Sequence, residues 1–258
     1  MKELKETVLV IGLGETGKPL YEIIKDSNKY DVFGKDIEPL NIKFPIDILH
    51  ICIPYSKNYI KIVTDYIKLY KPKLVIINST VIPGTTRKIY EKTNTLIVYS
   101  PIRGKHRRMK RDLLHYTKFI AGINKLAENK AYIHLTNIGM KVDTYPTIES
   151  LELAKLISTT YFGLLIAWAQ EVERYAKQYN VSYDDLIKIF NEIPYFPKTK
   201  YTPGFIGGHC VMPNIKLLKK AVKKHIFLKP IEKSNKLKKK ELEKLTEDIE
   251  FLKILKRI

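Results

Sequence analysis

Cysteine is scarce: Cys52 and Cys210 are the only two in 258 residues. That is too few for a disulfide-stapled scaffold, and the pair fits reduced, cytoplasmic chemistry, although sequence alone leaves a disulfide between them open. Met1-Lys-Glu-Leu-Lys-Glu leads straight into a strand pattern without an apolar targeting segment, so a cytoplasmic protein is expected. Long apolar runs are missing too. The densest, Phe162 to Ala169, falls far short of the roughly 20 residues that span a bilayer, so no membrane partner is expected. Acidic residues are few: 27 Asp and Glu stand against 46 Lys and Arg, a formal charge of +19. Three readings account for that excess: a nucleic-acid surface, one basic pocket for a polyanionic small molecule, or a lysine-rich solvated exterior. The charge alone does not choose among them. Nucleic acid is disfavoured because aromatic and basic residues are not interleaved.

What is present is globular. Apolar residues make up 45% of the chain, enough for one large core or two modest ones. Thr7-Val-Leu-Val-Ile-Gly reads as a buried strand, followed by Gly12-Leu-Gly14-Glu15-Thr16-Gly17 and a helix over 18–26. A second strand, Tyr30-Asp-Val-Phe-Gly-Lys, ends at Asp36. Strand, glycine turn, helix, strand and acid is the order of a dinucleotide-binding unit. Gly12 permits the tight turn, Gly14 lets a pyrophosphate approach the helix N-terminus, and Gly17 lets helix and strand pack closely. Asp36 is placed to accept from the adenosine ribose hydroxyls and to repel a 2′-phosphate, which favours NAD over NADP. Glu15 puts a negative charge where phosphates would sit. SAM enzymes also use a glycine turn and a strand-end acid, so SAM is the rival cofactor.

Further strands are expected over 47–54, 73–80, 96–101 and 119–122, with helices over 58–70 and from Pro83. Their continuous apolar character fits parallel strands covered on both faces. The carboxyl ends gather Pro54, Tyr55, Thr80 and residues 101–104 near one crevice, with Cys52 a core thiol. A long helix follows from Ile148 to about Asn180, apolar over so wide a face that two sides must be buried. A second domain or a second subunit would cover it, and a homodimer through residues 150–178 is expected. Lys155 is a lone charge among Leu153, Ala154, Leu156 and Ile157. Residues 182–192 read as a helix capped by Ser182.

From Tyr201 to Asn214 periodicity stops. Gly204, Gly207 and Gly208 allow a sharply bent loop that presents Cys210, with His209 able to activate its thiol if the two touch. The plain alternative is a structural turn with a buried cysteine. Beyond Lys216 the chain is basic, with Leu237, Leu242, Leu245, Ile249 and Leu252 spaced as one or two amphipathic helices. Pro230 is expected to separate two segments.

Pro203-Gly-Phe-Ile-Gly-Gly-His-Cys210 resembles the thiol loop of the UDP-glucose/GDP-mannose dehydrogenase family, which includes the UDP-N-acetylmannosamine dehydrogenases. Gly12 to Pro19, Asp36, Ser79-Thr-Val-Ile-Pro-Gly84, Ser100-Pro-Ile-Arg103, Glu152-Leu-Ala-Lys155 and Ala169-Gln-Glu171 are similar in the same order. The resemblance implies a Rossmann-type doubly wound parallel sheet over 1–147, a spine helix and helical domain over 148–215, and a basic helical tail over 216–258. It also implies two NAD-dependent oxidations of a sugar alcohol to a carboxylate. In that reading Cys210 captures the aldehyde, Lys155 stabilises the oxyanion and Thr80 helps to hold a water. Arg103, Lys155, Gly207, Gly208 and His209 face a phosphate- or nucleotide-linked substrate, and no metal is involved.

Three departures stand against full conversion. Ile102 occupies the place of the glutamate that activates water, Thr159 that of an asparagine, and Asn214 that of an aspartate. Isoleucine neither accepts a proton nor orients water. A single oxidation, a different adenosine cofactor, or a non-catalytic NAD-binding module therefore remain as alternatives.

Overall fold

The computed structural model describes residues 5–37, 45–194, 201–222 and 225–255. The chain divides into two compact units, Met1–Lys155 and Leu156–Ile258.

Among the described residues of the first unit, seven strands form one sheet: β1 (Thr7–Ile11), β2 (Asp31–Lys35), β3 (Ile48–Ile51), β4 (Leu74–Ile77), β5 (Ile97–Tyr99), β6 (Lys118–Gly122) and β7 (Val142–Thr144). Their order is β2-β1-β3-β4-β5-β6-β7. Helices α1 (Gly17–Asp26), α2 (Tyr59–Tyr70), α3 (Thr85–Thr93), α4 (Met109–His115) and α5 (Lys125–Asn137) connect the strands. Successive side chains of a strand face opposite ways, which resolves each continuous apolar run into two cores. Val8, Val10, Ile48 and Ile76 pack with α1, α4 and α5. Leu9, Ile11, Leu49, Ile51, Val75 and Ile77 pack with α2, α3 and the start of the next helix. The Rossmann-type α/β fold expected from the glycine turn is what forms.

The sheet is not parallel throughout. β1 to β5 are mutually parallel where paired, but β6 runs antiparallel to β5, with Val98 opposite Gly122. The physical reason lies in α4, whose seven residues pack beside α1. A helix of about 10 Å does not carry the chain back along the sheet, so β6 begins at the carboxyl end of β5. Helices α4 and α5 and strand β7 were also not anticipated, because charged residues mask their short apolar patterns.

Helix α6 (Ile148–Gln178) is the expected spine. By length and composition it also suffices to cross a membrane. Counting contiguous apolar residues missed this, because Ser158, Thr159 and Thr160 interrupt the run without making the helix strongly polar.

The second unit continues from α6 into α7 (Tyr183–Lys188), α8 (Val211–Ala221) and α9 (Leu228–Leu255). Ser182 caps α7 as expected, its Oγ accepting from the Asp185 N–H at 3.1 Å. Two expectations are corrected. Periodicity resumes at Val211, so Asn214 lies on α8 and Cys210 occupies its N-cap. Pro230 does not separate two helices; it sits in the first turn of α9, where the missing N–H would have had no partner. Helix α8 ends at Ala221 and α9 begins at Leu228. Leu237, Leu242 and Leu245 of the expected stripe are all partly exposed, while the side chains of Ile249 and Leu252 lie outside the described residues.

Candidate functional site

β2 and β3 lie on opposite sides of β1, so the connections leave the carboxyl end of the sheet in opposite directions and open a crevice there. The glycine turn stands at that point. Gly12 holds φ at +90°, and a Cβ on it would lie 2.9 Å from the Cys52 carbonyl carbon and oxygen. A Cβ on Gly17 would lie 1.7 Å from the Gly12 oxygen. Above Gly14 the corresponding space is open to 4 Å. Two glycines are thus required by packing, while the third keeps a side chain out of a surface that a pyrophosphate could approach. These features fit a dinucleotide. Asp36 is exposed just past β2, and Pro54 and half-buried Thr80 follow β3 and β4. Gly12, Gly14, Glu15, Thr16, Gly17, Asp36, Pro54 and Thr80 therefore share one edge of the sheet. Cys52 lies beneath the turn, and burial pushes its thiol up to about 12.

Glu152, fully buried on α6, accepts from Gly84 N–H at 2.6 Å, Thr86 N–H at 3.0 Å and Thr86 Oγ1 at 2.7 Å. Burial pushes its carboxyl up to about 7, against these three donors, which favour the ionised form. The contact anchors the start of α6 one turn before Lys155, which is half-buried.

Beneath the strand ends lies a buried polar chain that sequence reasoning missed. Lys118, 3% exposed, donates to the carbonyls of Ser100 at 2.6 Å and Pro101 at 3.0 Å and to Asn78 Oδ1 at 3.3 Å. Burial draws its ammonium down to about 7, with Lys155 and Arg103 adding repulsion. Asn78 Nδ2 lies 3.0 Å from His50 Nδ1, and His50 Nε2 lies 2.9 Å from His134 Nε2. An amide N–H facing Nδ1 makes His50 the Nε2–H tautomer, which donates to His134 and leaves the His134 proton on Nδ1. That Nδ1 has no hydrogen-bond partner. Burial lowers both imidazoles, His134 to about 3. The available signal was a histidine inside Ile48-Leu-His-Ile51 and a lysine opening an otherwise apolar strand.

Ile102 is buried in the core. Arg103 donates to the Thr117 carbonyl at 2.5 Å and lies 4.9 Å from the centroid of the Phe119 ring.

In the second unit, Gly207, Gly208, His209 and Cys210 are exposed, while Asn214 is buried and its N–H donates to the Cys210 carbonyl at 3.1 Å. Thr159, on α6, is half-buried. The loop ahead of Cys210 is held from within. Asn235 of α9 pairs with both backbone groups of Ile206, and Gln170 of α6 donates to the Gly204 carbonyl at 2.7 Å. Ser234 Oγ donates to Gln170 Oε1 at 2.9 Å, and Arg174 donates to Ser234 and to Glu241. The tail thus packs on its own spine through buried polar groups.

A doubly wound sheet with a glycine cradle, followed by a helical unit on a long spine, defines a Rossmann-type α/β protein. Residues 149–237 match the central domain of the UDP-glucose/GDP-mannose dehydrogenase family. It is 27% identical over 256 residues to the UDP-N-acetyl-D-mannosamine dehydrogenase of Methanococcus maripaludis, covering 79% of this chain and 59% of the relative. The chain therefore spans about three-fifths of that relative. The UDP-D-ManNAc dehydrogenase structure from Pyrococcus horikoshii superposes with a TM-score of 0.78 at 23% identity, over 90% of this chain and 68% of the other. A 3-hydroxyisobutyrate dehydrogenase from Mycobacterium tuberculosis superposes at 0.72 and 15% identity, over 92% and 94%. Both structures speak to fold alone.

Proposed function

We propose that the chain is an NAD-dependent oxidoreductase that oxidises an alcohol on a phosphate- or nucleotide-bearing substrate. The observation that carries this reading is the cradle at Gly12 and Gly17 with Asp36 beside it, in a chain whose residues 149–237 match the central domain of the UDP-glucose/GDP-mannose dehydrogenase family. Glu15, Thr16, Pro54 and Thr80 complete the cofactor edge. NAD, when bound, supplies the hydride acceptor. Asp36 favours it over NADP through ribose hydrogen bonds and repulsion of a 2′-phosphate.

The chain's own residues do the rest. The Lys155 ammonium stabilises negative charge developing on the substrate oxygen, and Thr80 helps to hold a water. The Cys210 thiolate adds to the carbonyl carbon of the aldehyde, with Thr159 and Asn214 as polar neighbours in place of the family's asparagine and aspartate, and the hemithioacetal becomes an acyl group on sulfur only by giving up a second hydride, which a second NAD would accept. Arg103, Gly207, Gly208 and His209 contact the substrate. Hydrolysis of an acyl group on Cys210 needs a base to activate water. Ile102, buried and apolar, provides none. The cycle is therefore expected to slow once Cys210 is acylated. The working form is a homodimer through α6, located in the cytoplasm.

The test is NADH released per substrate across a panel of UDP- and GDP-sugars, with native protein and Cys210→Ala. A burst that stops at two NADH per protein, matched by an acyl mass on Cys210, is expected; one NADH per substrate with free aldehyde would mean that Cys210 is not acylated. Two equivalents with continued turnover would mean that another group replaces the missing glutamate. No NADH with any sugar would overturn the substrate class.

A further inference from the structure

The basic stretch 103–111 reaches the glycine turn through Arg107. Asp112, buried, accepts from the Lys105 N–H at 2.9 Å and from Arg108 Nε at 3.0 Å, which fixes the loop. Lys110 pairs with Asp26 at 2.6 Å and ties α4 to α1, the helix that opens on the glycine turn. The loop so held brings Arg107 to a shallow cavity of about 420 Å³ shared with Gly14, Glu15, Lys18 and Glu22. Among the described residues no hydrogen bond or ion pair engages the Arg107 guanidinium. The cavity takes in Leu13, Gly14 and Glu15 of the glycine turn and does not take in Asp36.

We propose that Arg107 is a binding residue of the cofactor site, a cation laid beside the glycine turn to pair with the dinucleotide's pyrophosphate. This rests on the NAD reading above and extends it to a residue outside the first strand–helix–strand segment. It also accounts for Glu15: a carboxylate in a phosphate-binding turn is unfavourable alone, and a guanidinium in the same cavity offsets it. A guanidinium suits the role because its planar fork meets two phosphate oxygens at once.

The experiment compares dissociation constants of NAD and ADP-ribose by titration calorimetry, and of adenosine by NMR, for native protein, Arg107→Ala, Arg107→Lys and Arg111→Ala. Arg111 lines the adjoining cavity, away from the glycine turn, and controls for net charge. Arg107→Ala is expected to weaken NAD and ADP-ribose about tenfold, the scale of one charge-assisted contact. Adenosine should be unchanged, Arg107→Lys partly restored, and Arg111→Ala within about twofold by the salt-screened weakness of remote charge. Equal constants for native protein and Arg107→Ala would overturn the proposal and leave the NAD reading intact. An equal loss for adenosine would place the contact on the nucleoside and likewise overturn it. Native protein that binds neither NAD nor ADP-ribose would end the cofactor reading itself, and this proposal with it.

Discussion

Asn235 pairs with Ile206 as one strand residue pairs with another. Its Oδ1 accepts from the Ile206 N–H at 2.7 Å and its Nδ2 donates to the Ile206 carbonyl at 3.0 Å. Both residues are buried, so neither backbone group has water as a ready substitute. Asn235→Ala should destabilise the second unit by roughly 2–3 kcal/mol, the cost of orphaned buried groups. Asn235→Asp should do likewise, because a carboxylate cannot donate to the carbonyl. Chemical denaturation checks the magnitude. Amide exchange at Ile206 checks the cause, and unchanged protection in Asn235→Ala would refute it.

Lys118 predicts a stability that rises with pH. Its folded pKa of about 7 lies below the unfolded value of about 10.4, so the unfolded chain binds more protons between the two. Unfolding free energy should therefore increase above pH 7, by at most about 1.4 kcal/mol per pH unit from this group. Cys52 acts oppositely from about pH 8.5, where its unfolded thiol ionises and its buried one does not. The clean window is pH 7 to 8.5. Lys118→Met should flatten the slope there, and an identical slope in the variant would refute the assignment.

Below neutrality two buried histidines and Glu152 oppose one another. His50 and His134 have depressed pKa values, so acid protonates them in the unfolded chain first and stability falls as pH drops below about 6.5. Glu152 has a raised pKa of about 7, so its contribution is fully present below about pH 4.3 and is lost as pH rises through 7. Between these limits Glu152 partly offsets the histidines. Glu152→Gln should therefore steepen the acid limb of the stability curve, and His134→Phe should flatten it. The reverse order of slopes would show that the three donors keep Glu152 ionised.

Ile157, Tyr161, Trp168 and Tyr175 are spaced by four, seven and seven residues along α6, each about half exposed. Such a stripe covers one face of a helix, and a second copy offers the self-complementary surface to bury it. Tyr161→Glu with Trp168→Glu is expected to convert a dimer into a monomer in sedimentation equilibrium. Monomeric native protein at high concentration would sink the dimer.

Gly17→Ala places a methyl 1.7 Å from the Gly12 oxygen. The turn must open, at a cost of about 1–3 kcal/mol for overpacking, and NAD affinity should fall with it. Gly14→Ala, with open space above, should preserve stability while still weakening NAD. Calorimetry on both variants separates packing from cofactor approach.

Much of this protein was legible residue by residue. Gly12, Gly14, Gly17 and Asp36 announce their turn because backbone freedom and strand ends are local properties. The span of α6 follows from helical periodicity, and the Cys210 loop from its glycines. These signals arise within a few residues and survive without knowledge of the fold. Tertiary structure decided the rest. The antiparallel entry of β6 depends on where α4 packs, which no residue of β6 encodes. Lys118, Asn78, His50 and His134 join two strands and the end of a third to a helix, and Asn235 reaches back 29 residues to Ile206. A buried polar side chain is tolerated only where its partner is delivered by register and packing. Its place in the sequence names the residue; only the fold names the partner.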